Sequence, residues 1–358
     1  MKITKRFRQV VVVCLAIFCS TLLAVNLDLQ TESQGERLFD PAPKDESGRF
    51  ENLSPDLDRG SSAVHIGFFL RRFATIFRGN QGAPESVPNE GSFLRSNKSI
   101  PTVTWVGHAT LLMQMQGVNF LTDPIWSNTP SPVPMIGPSR FVAPGLKIED
   151  LPVIDFVVIS HNHYDHLDLP TLIQLARKNS DTVFFVPLGN GEVLRNQGIN
   201  NVQELNWGDR VRYKELVVHC LPNQHWSKRS LTDTRKALWS SWAVIGADKR
   251  FYFAGDTGYF DGFKDIGNKL GPFDLAAVPI GAYEPNVMMK PTHMNPEEAI
   301  QAALDVQANT AVAIHFGTFD LSDEPLEEPP QRFKVAADAT ALAKDNSWVL
   351  KIGETREF

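Results

Sequence analysis

Past residue 101 the chain alternates short β-rich apolar runs with stretches that are apolar every three or four residues. Strand-type runs fall at 102–106, 111–115, 156–160, 183–186, 216–220, 243–245, 250–254, 275–279 and 310–314. Helical spacing marks 169–178 and 296–306. The second helix carries its own start signal: Asn295 as N-cap, Pro296 at the first position, and Glu297 and Glu298 in the first turn. This pattern predicts an α/β body spanning 101–358.

Two other stretches read differently. Residues 124–144 hold six prolines and predict a long ordered loop of the kind that builds substrate sites. Residues 28–100 are rich in Asp, Glu, Ser, Pro and Gly and predict a linker or loosely packed arm. Inside that arm Ile66, Phe69, Leu70, Phe73 and Phe77 recur at helical spacing, with Arg71, Arg72 and Arg78 beside them. A basic amphipathic helix of this type either packs on its own domain or lies on a membrane surface. Packing on the domain is the preferred reading, and the two agree if the helix sits beside an active-site mouth.

The amino end changes the picture again. Lys2, Lys5, Arg6 and Arg8 precede an apolar run over 10–25 that only Ser20 and Thr21 interrupt. Sixteen residues is short of the roughly 20 needed to span a bilayer. It suits a signal-anchor or signal peptide over 1–27. The positive flank keeps the amino end inside and sends the body across, to a bacterial periplasm or its equivalent.

Charge then sharpens both halves. The whole chain has net charge −6, from 35 basic and 41 acidic residues. Without the four amino-terminal cations the remainder carries 31 against 41, or −10. Such an acidic body excludes a general nucleic-acid binder, which needs Lys and Arg to neutralise phosphates. Cys220 is the only cysteine outside the apolar run, so the body forms no internal disulfide.

The candidate chemistry sits at strand ends. His161-Asn162-His163-Tyr164-Asp165-His166 directly follows the run at 156–160. Imidazoles and carboxylates are the ligands Zn²⁺ takes. A turn there can aim His161 and His163 at one ion, and Asp165 and His166 at another. Three later apolar runs each end in one further ligand: His225, Asp256 and His315. Seven such side chains suffice for two ions, and the two oxygens of Asp256 suit it to bridge them.

Together HNHYDH, His225, Gly255-Asp256 and His315 resemble the metallo-β-lactamase fold hydrolases, and more specific blocks narrow the likeness. Residues 105–110 (WVGHAT), 121–124 (LTDP), 224–226 (QHW), 253–259 (FAGDTGY), 279–285 (PIGAYEP) and 315–319 (HFGTF) are similar to the N-acylphosphatidylethanolamine-hydrolysing phospholipase D family. The likeness runs in order from about Thr102 to Glu354; the first hundred residues lack it.

What the resemblance implies is an αββα sandwich with two Zn²⁺ per chain. One ion is held by His161, His163 and His225, the other by Asp165, His166 and His315, with Asp256 between them. A metal-activated hydroxide would then attack a phospholipid phosphodiester, releasing phosphatidic acid and an N-acylethanolamine. No cysteine occupies a ligand position, which disfavours β-lactam hydrolysis.

Further roles follow for single residues. Asp165 and Asp256 are ligands that can also accept a proton. His293 contacts substrate or transfers a proton, and Tyr164 and Thr292 line the substrate. Thr292 replaces the longer polar side chain expected before His293, so headgroup selectivity is open. Asp123 fixes a metal-holding histidine, and His108 is structural. A lipid enzyme needs an apolar groove beside the metals, walled by the 68–77 helix and the 124–144 loop. The implied partners are a phospholipid and a membrane surface; a homodimer is compatible with this reading. The alternatives are a lactonase or another ester or amide hydrolase of the same fold, a lactonase of small sugars being expected to show a narrow polar pocket, and a non-catalytic envelope protein.

Overall fold

The computed structural model describes residues 29–30, 37–54, 60–75, 82–133, 137–342 and 344–358. The signal-anchor over 1–27, Phe77 and Arg78 lie outside the described residues. Among those described, no helix is long and apolar enough to cross a membrane.

Two sheets form the body. The first has order β15-β2-β3-β4-β5-β6-β7, built from Thr355–Glu357, Thr102–Gly107, Thr110–Met115, Val118–Thr122, Phe156–Val158, Val183–Pro187 and Val202–Leu205. The second has order β1-β8-β9-β10-β11-β12-β13-β14. Its strands are Leu29–Gln30, Arg210–Tyr213, Leu216–Leu221, Ser241–Ile245, Arg250–Phe253, Phe273–Pro279, Ala308–Ile314 and Ser347–Trp348.

Period-two alternation sets the layers. In the first sheet Val103, Trp105, Leu111, Met113, Phe156, Val158, Val183 and Phe185 point into the core shared with the second sheet. Their neighbours Val106, Leu112, Val157, Ile159, Phe184 and Val186 point the other way, onto Leu172 and Leu175. Those two leucines belong to a helix over Leu169–Lys178, as predicted. The second sheet is covered by helices over Gly262–Leu270 and Pro296–Asp305, through Phe263, Ile266, Ile300 and Ala303. The capping box at Asn295 is complete: its side chain accepts from Glu298 N at 2.8 Å, and Glu298 Oε2 accepts from Asn295 N at 3.3 Å. Helix, sheet, sheet, helix is the layering the resemblance implied.

Strands β4, β5 and β6 run parallel, as do β11, β12 and β13. In each sheet the carboxyl ends of these strands therefore share one edge, where ligands of open α/β sheets gather.

The arm departs from its prediction. Far from being loosely packed throughout, it buries Phe39 and Phe50 in the larger core cluster, which includes the second sheet, and Leu94 in the smaller one under the first sheet's helix. A few apolar side chains in a polar segment carry its packing, and average composition hides them. Within it, α1 (Ser62–Thr75) forms the amphipathic helix. Its cations are already engaged: Arg71 meets Asp323 at 2.6 Å, and Arg72 pairs with Asp320 and, at 3.3 Å, Asp323. These pairs clamp α1 onto the segment just past His315, so Arg71 and Arg72 are not phosphate-seeking cations.

Candidate metal centre

The sequence places a ligand at the carboxyl end of each of four strands. The turn after β5 carries His161, His163, Asp165 and His166; His225 follows β9, Asp256 follows β11 and His315 follows β13. The 161–166 turn is stitched by His163 O, which accepts from Leu167 N at 2.9 Å. Arg229 Nη1 adds bonds to the carbonyls of Asn162 and Leu167, each at 2.9 Å. Gly255 is required where the two sheets meet. Its φ is 62°, and a Cβ there would lie 2.5 Å from that of Ser160.

Two triads result. In the first, Nδ1 of His163 stands 2.8 Å from Nε2 of His161 and 3.3 Å from Nε2 of His225. In the second, Oδ2 of Asp165 stands 3.2 Å from Nε2 of His166 and 3.4 Å from Nε2 of His315. Asp256 lies between them, with Oδ2 3.1 Å from Nε2 of both His166 and His315. The same oxygen is 3.9 Å from Nε2 of His161 and 4.0 Å from that of His225.

Partners that can only accept fix the imidazoles. His166 Nδ1 meets Asp123 Oδ2 at 2.7 Å, and His225 Nδ1 meets the carbonyl of Thr292 at 2.9 Å. Both Nδ1 atoms therefore carry a proton, so Nε2 is the atom that each ring turns toward the cluster. His161 Nδ1 meets Ser160 Oγ at 2.9 Å, whose own proton goes to Asp123. Asp123 thus contacts a histidine of each triad, directly at His166 and through Ser160 at His161. Ser160 and Arg229 carry no signal in the sequence, because a hydroxyl and a guanidinium become supports only once the strands are ordered.

Electrostatics agree with a cation site. Burial pushes Asp256 upward, yet His166 and His315 hold it well below the ordinary carboxylate range. Burial likewise opposes ionisation of Asp165, but His166 and a hydrogen bond from His108 keep it well below. Burial and neighbouring cations drive His161 and His225 well below the usual histidine value. Burial also disfavours charge on His166, but Asp256, Asp165 and Asp123 raise it well above that value. The same balance, through Asp256 and Asp165, raises His315 to about 9.

The donor set fits divalent metal. Asp256 Oδ1 and the Nε2 atoms of His166 and His315 are buried with no aligned hydrogen-bond partner among the described residues. Nitrogen and oxygen donors of this kind suit zinc.

A cavity of about 830 Å³ opens on the cluster, with His163, Asp165, Asp256, His293 and His315 at its floor. Its walls are largely apolar: Phe68, Trp226, Leu231, Met288, Met289 and Leu321. Helix α1 supplies Phe68, and the proline-rich loop supplies Pro132, as the groove argument expected. His293 Nδ1 lies 4.0 Å from Asp256 Oδ2, and burial lowers this imidazole to about 4, so it is neutral at pH 7. Thr292 lines the cavity while its carbonyl anchors His225. The ring of Tyr164 borders the cavity, but its hydroxyl donates to Arg229 O at 2.7 Å, and Arg229 lies over the ring at 4.2 Å.

One residue is closer to the cluster than its sequence suggested. His108 Nε2 stands 3.0 Å from Asp165 Oδ2, within one donor group with His166 and His315. Its place was hidden because the turn after β2 and the turn after β5 are related only through the sheet order β2-β3-β4-β5.

Comparison with known proteins agrees with this geometry. Residues 118–316 match the model of the β-lactamase superfamily domain. The chain is 47% identical over 266 residues to N-acyl-phosphatidylethanolamine-hydrolyzing phospholipase D 1 of Caenorhabditis elegans, covering 71% of this chain and 75% of that one. It is 34% identical over 262 residues to the mitochondrial N-acyl-phosphatidylethanolamine-hydrolyzing phospholipase D of Saccharomyces cerevisiae, covering 71% of this chain and 55% of that one. In fold it matches the metallo hydrolase Igni18 of Ignicoccus hospitalis, with TM-score 0.56 and 24% identity, over 73% of this chain and 99% of that one. The chain therefore belongs to the metallo-β-lactamase superfamily of metal-dependent hydrolases, and within it is similar to the N-acyl-phosphatidylethanolamine-hydrolysing phospholipases D.

Proposed function

We propose that the chain is a dinuclear zinc phosphodiesterase of phospholipase D type, acting on N-acylphosphatidylethanolamine or a related phospholipid. The observation that carries this reading is an apolar-walled cavity of about 830 Å³ ending on two three-ligand clusters that share Asp256. His161, His163 and His225 would hold one ion, and Asp165, His166 and His315 the other, with Asp256 common to both. Ions bound there supply Lewis acidity and a nucleophilic water at neutral pH.

The chain's own groups do the rest. The cavity walls take the acyl chains and set the phosphodiester over the cluster floor. Neutral His293, with Nδ1 free of hydrogen bonds to the described residues, can accept a proton from the attacking water and, as imidazolium, pass it to the departing ethanolamine oxygen. Thr292 and the face of Tyr164 border the headgroup. Water adds across the phosphorus–oxygen bond on the ethanolamine side, giving phosphatidic acid and an N-acylethanolamine.

We also infer a membrane surface as partner, with the 1–27 segment as tether and the body on the exported side. Large exposed apolar side chains support this: Leu231 is 93% exposed and lines the cavity, while Ile66 and Leu70 are exposed on α1, whose Phe68 lines it. The test is a substrate panel in detergent micelles comprising N-acylated phospholipids, plain phospholipids, lactones and β-lactams. Release of N-acylethanolamine supports the reading. Turnover of lactones but not of phosphodiesters overturns it in favour of a lactonase.

A further inference from the structure

His108 belongs to neither triad, yet it grips two ligands of the second. It sits in the turn between β2 and β3 and is 1% exposed. Its Nε2 stands 3.0 Å from Oδ2 of Asp165, the oxygen that faces His166 and His315. Its carbonyl accepts the backbone N–H of His315 at 3.0 Å, and its ring lies 4.2 Å from the ring of His315. The turn itself is held hard. His108 N donates to Thr318 Oγ1 at 2.7 Å, and Trp105 Nε1 donates to His108 O at 2.9 Å. A φ of 54° is unusual for a residue with a Cβ and persists only where the surroundings enforce it.

We propose that His108 is the positioning residue of the second ion site. Through Nε2–H it fixes the carboxylate of Asp165, and through its carbonyl it fixes the backbone of His315. A carboxylate oxygen has lone pairs to spare, so Oδ2 can accept this hydrogen bond and still face a cation. His161, His163 and His225 are set by other partners, so His108 governs the affinity of one site and not of the other. This rests on the two-ion reading above.

The experiment titrates the metal-free full-length chain with Co²⁺ or Zn²⁺, following heat and the cobalt absorption bands. His108→Phe keeps a ring against His315 and Phe319 but donates nothing. His108→Gln keeps an N–H. The wild type should take two ions. His108→Phe should bind the first unchanged and the second about 10- to 100-fold more weakly, and His108→Gln should recover most of that loss. If His108→Phe does not fold, His108→Asn, whose amide is too short to reach Asp165, carries the same expectation. Equal weakening of both ions, or an unchanged second ion, overturns the assignment. So does a His108→Gln chain that stays weak with altered cobalt bands, because His108 would then be a ligand itself. A wild type that takes one ion overturns the two-ion reading, and this assignment falls with it.

Discussion

The hydroxyl of Ser160 lies 2.5 Å from Oδ2 of Asp123, and that link lets one carboxylate steady an imidazole in each triad. Asp123 holds His166 directly and His161 through Ser160. Replacing Asp123 by Asn should therefore weaken both ions, whereas Ser160→Ala should weaken chiefly the ion on His161. Losses of about 10- to 100-fold in affinity are expected for such supports. Metal titration of the two variants checks this; a Ser160→Ala chain that lost only the other ion would contradict it.

Asp256 is the group common to both triads, so its replacement should be the most damaging isosteric change in the cluster. Asp256→Asn preserves shape and should leave the fold intact by circular dichroism. Turnover should fall at least about 100-fold, roughly 2.7 kcal/mol in the barrier. Activity that survives Asp256→Asn combined with His225→Ala would exclude a mechanism through both ions.

Metal uptake should release protons. His315 sits near 9 and His166 well above its usual value in the metal-free chain, so both carry a proton at pH 7 that coordination must displace. The sign is fixed: acidification should weaken binding. Stability of the metal-free chain derived from His315 should be full below its unfolded value of about 6.5 and fade as pH rises through about 9. Calorimetry in buffers of different ionisation enthalpy measures the released protons, and zero release would refute the assignment.

Leu231, 93% exposed, offers a separation of binding from chemistry. Leu231→Glu should change stability by less than about 0.5 kcal/mol, as most surface substitutions do. Hydrolysis of vesicle-borne substrate should drop several-fold while a short-chain soluble analogue is turned over as before. Equal rates on vesicles for variant and wild type would remove Leu231 from the membrane-facing mouth.

Much of this architecture was readable because apolar runs in a layered α/β fold announce themselves. The strand runs that carry ligands, at 156–160, 216–220, 250–254 and 310–314, differ from the structure by no more than two residues at either end. Strand β4 escaped because Asn119 interrupts its apolar pattern, and because the Gln116-Gly117 turn before it, with φ 49° and 74°, is a short hairpin. The helix over Gly262–Leu270 escaped because two of its nine residues are glycine, which weakens any propensity signal. Ligand types were legible in HNHYDH; of their supports only Asp123 was. Where His108 and Ser160 act depends on which strands lie side by side, and the partners of Arg71 and Arg72 were hidden because Asp320 and Asp323 are some 250 residues away in sequence.

The division of ligands between the sheets has a consequence for how the protein is assembled. Each triad takes two members from the turn after β5 in one sheet and its third from a strand end in the other. The chain crosses from the first sheet to the second between Leu205 and Arg210. A chain cut at that crossing yields two fragments, each with an incomplete half of both ion sites. Metal would then act as the rivet between fragments, adding about 2.7 kcal/mol of association at a hundredfold excess over its dissociation constant. If the intact protein binds metal as proposed, the same rivet would make folded abundance follow metal supply, so starvation would thin the protein itself before it merely idled the enzyme.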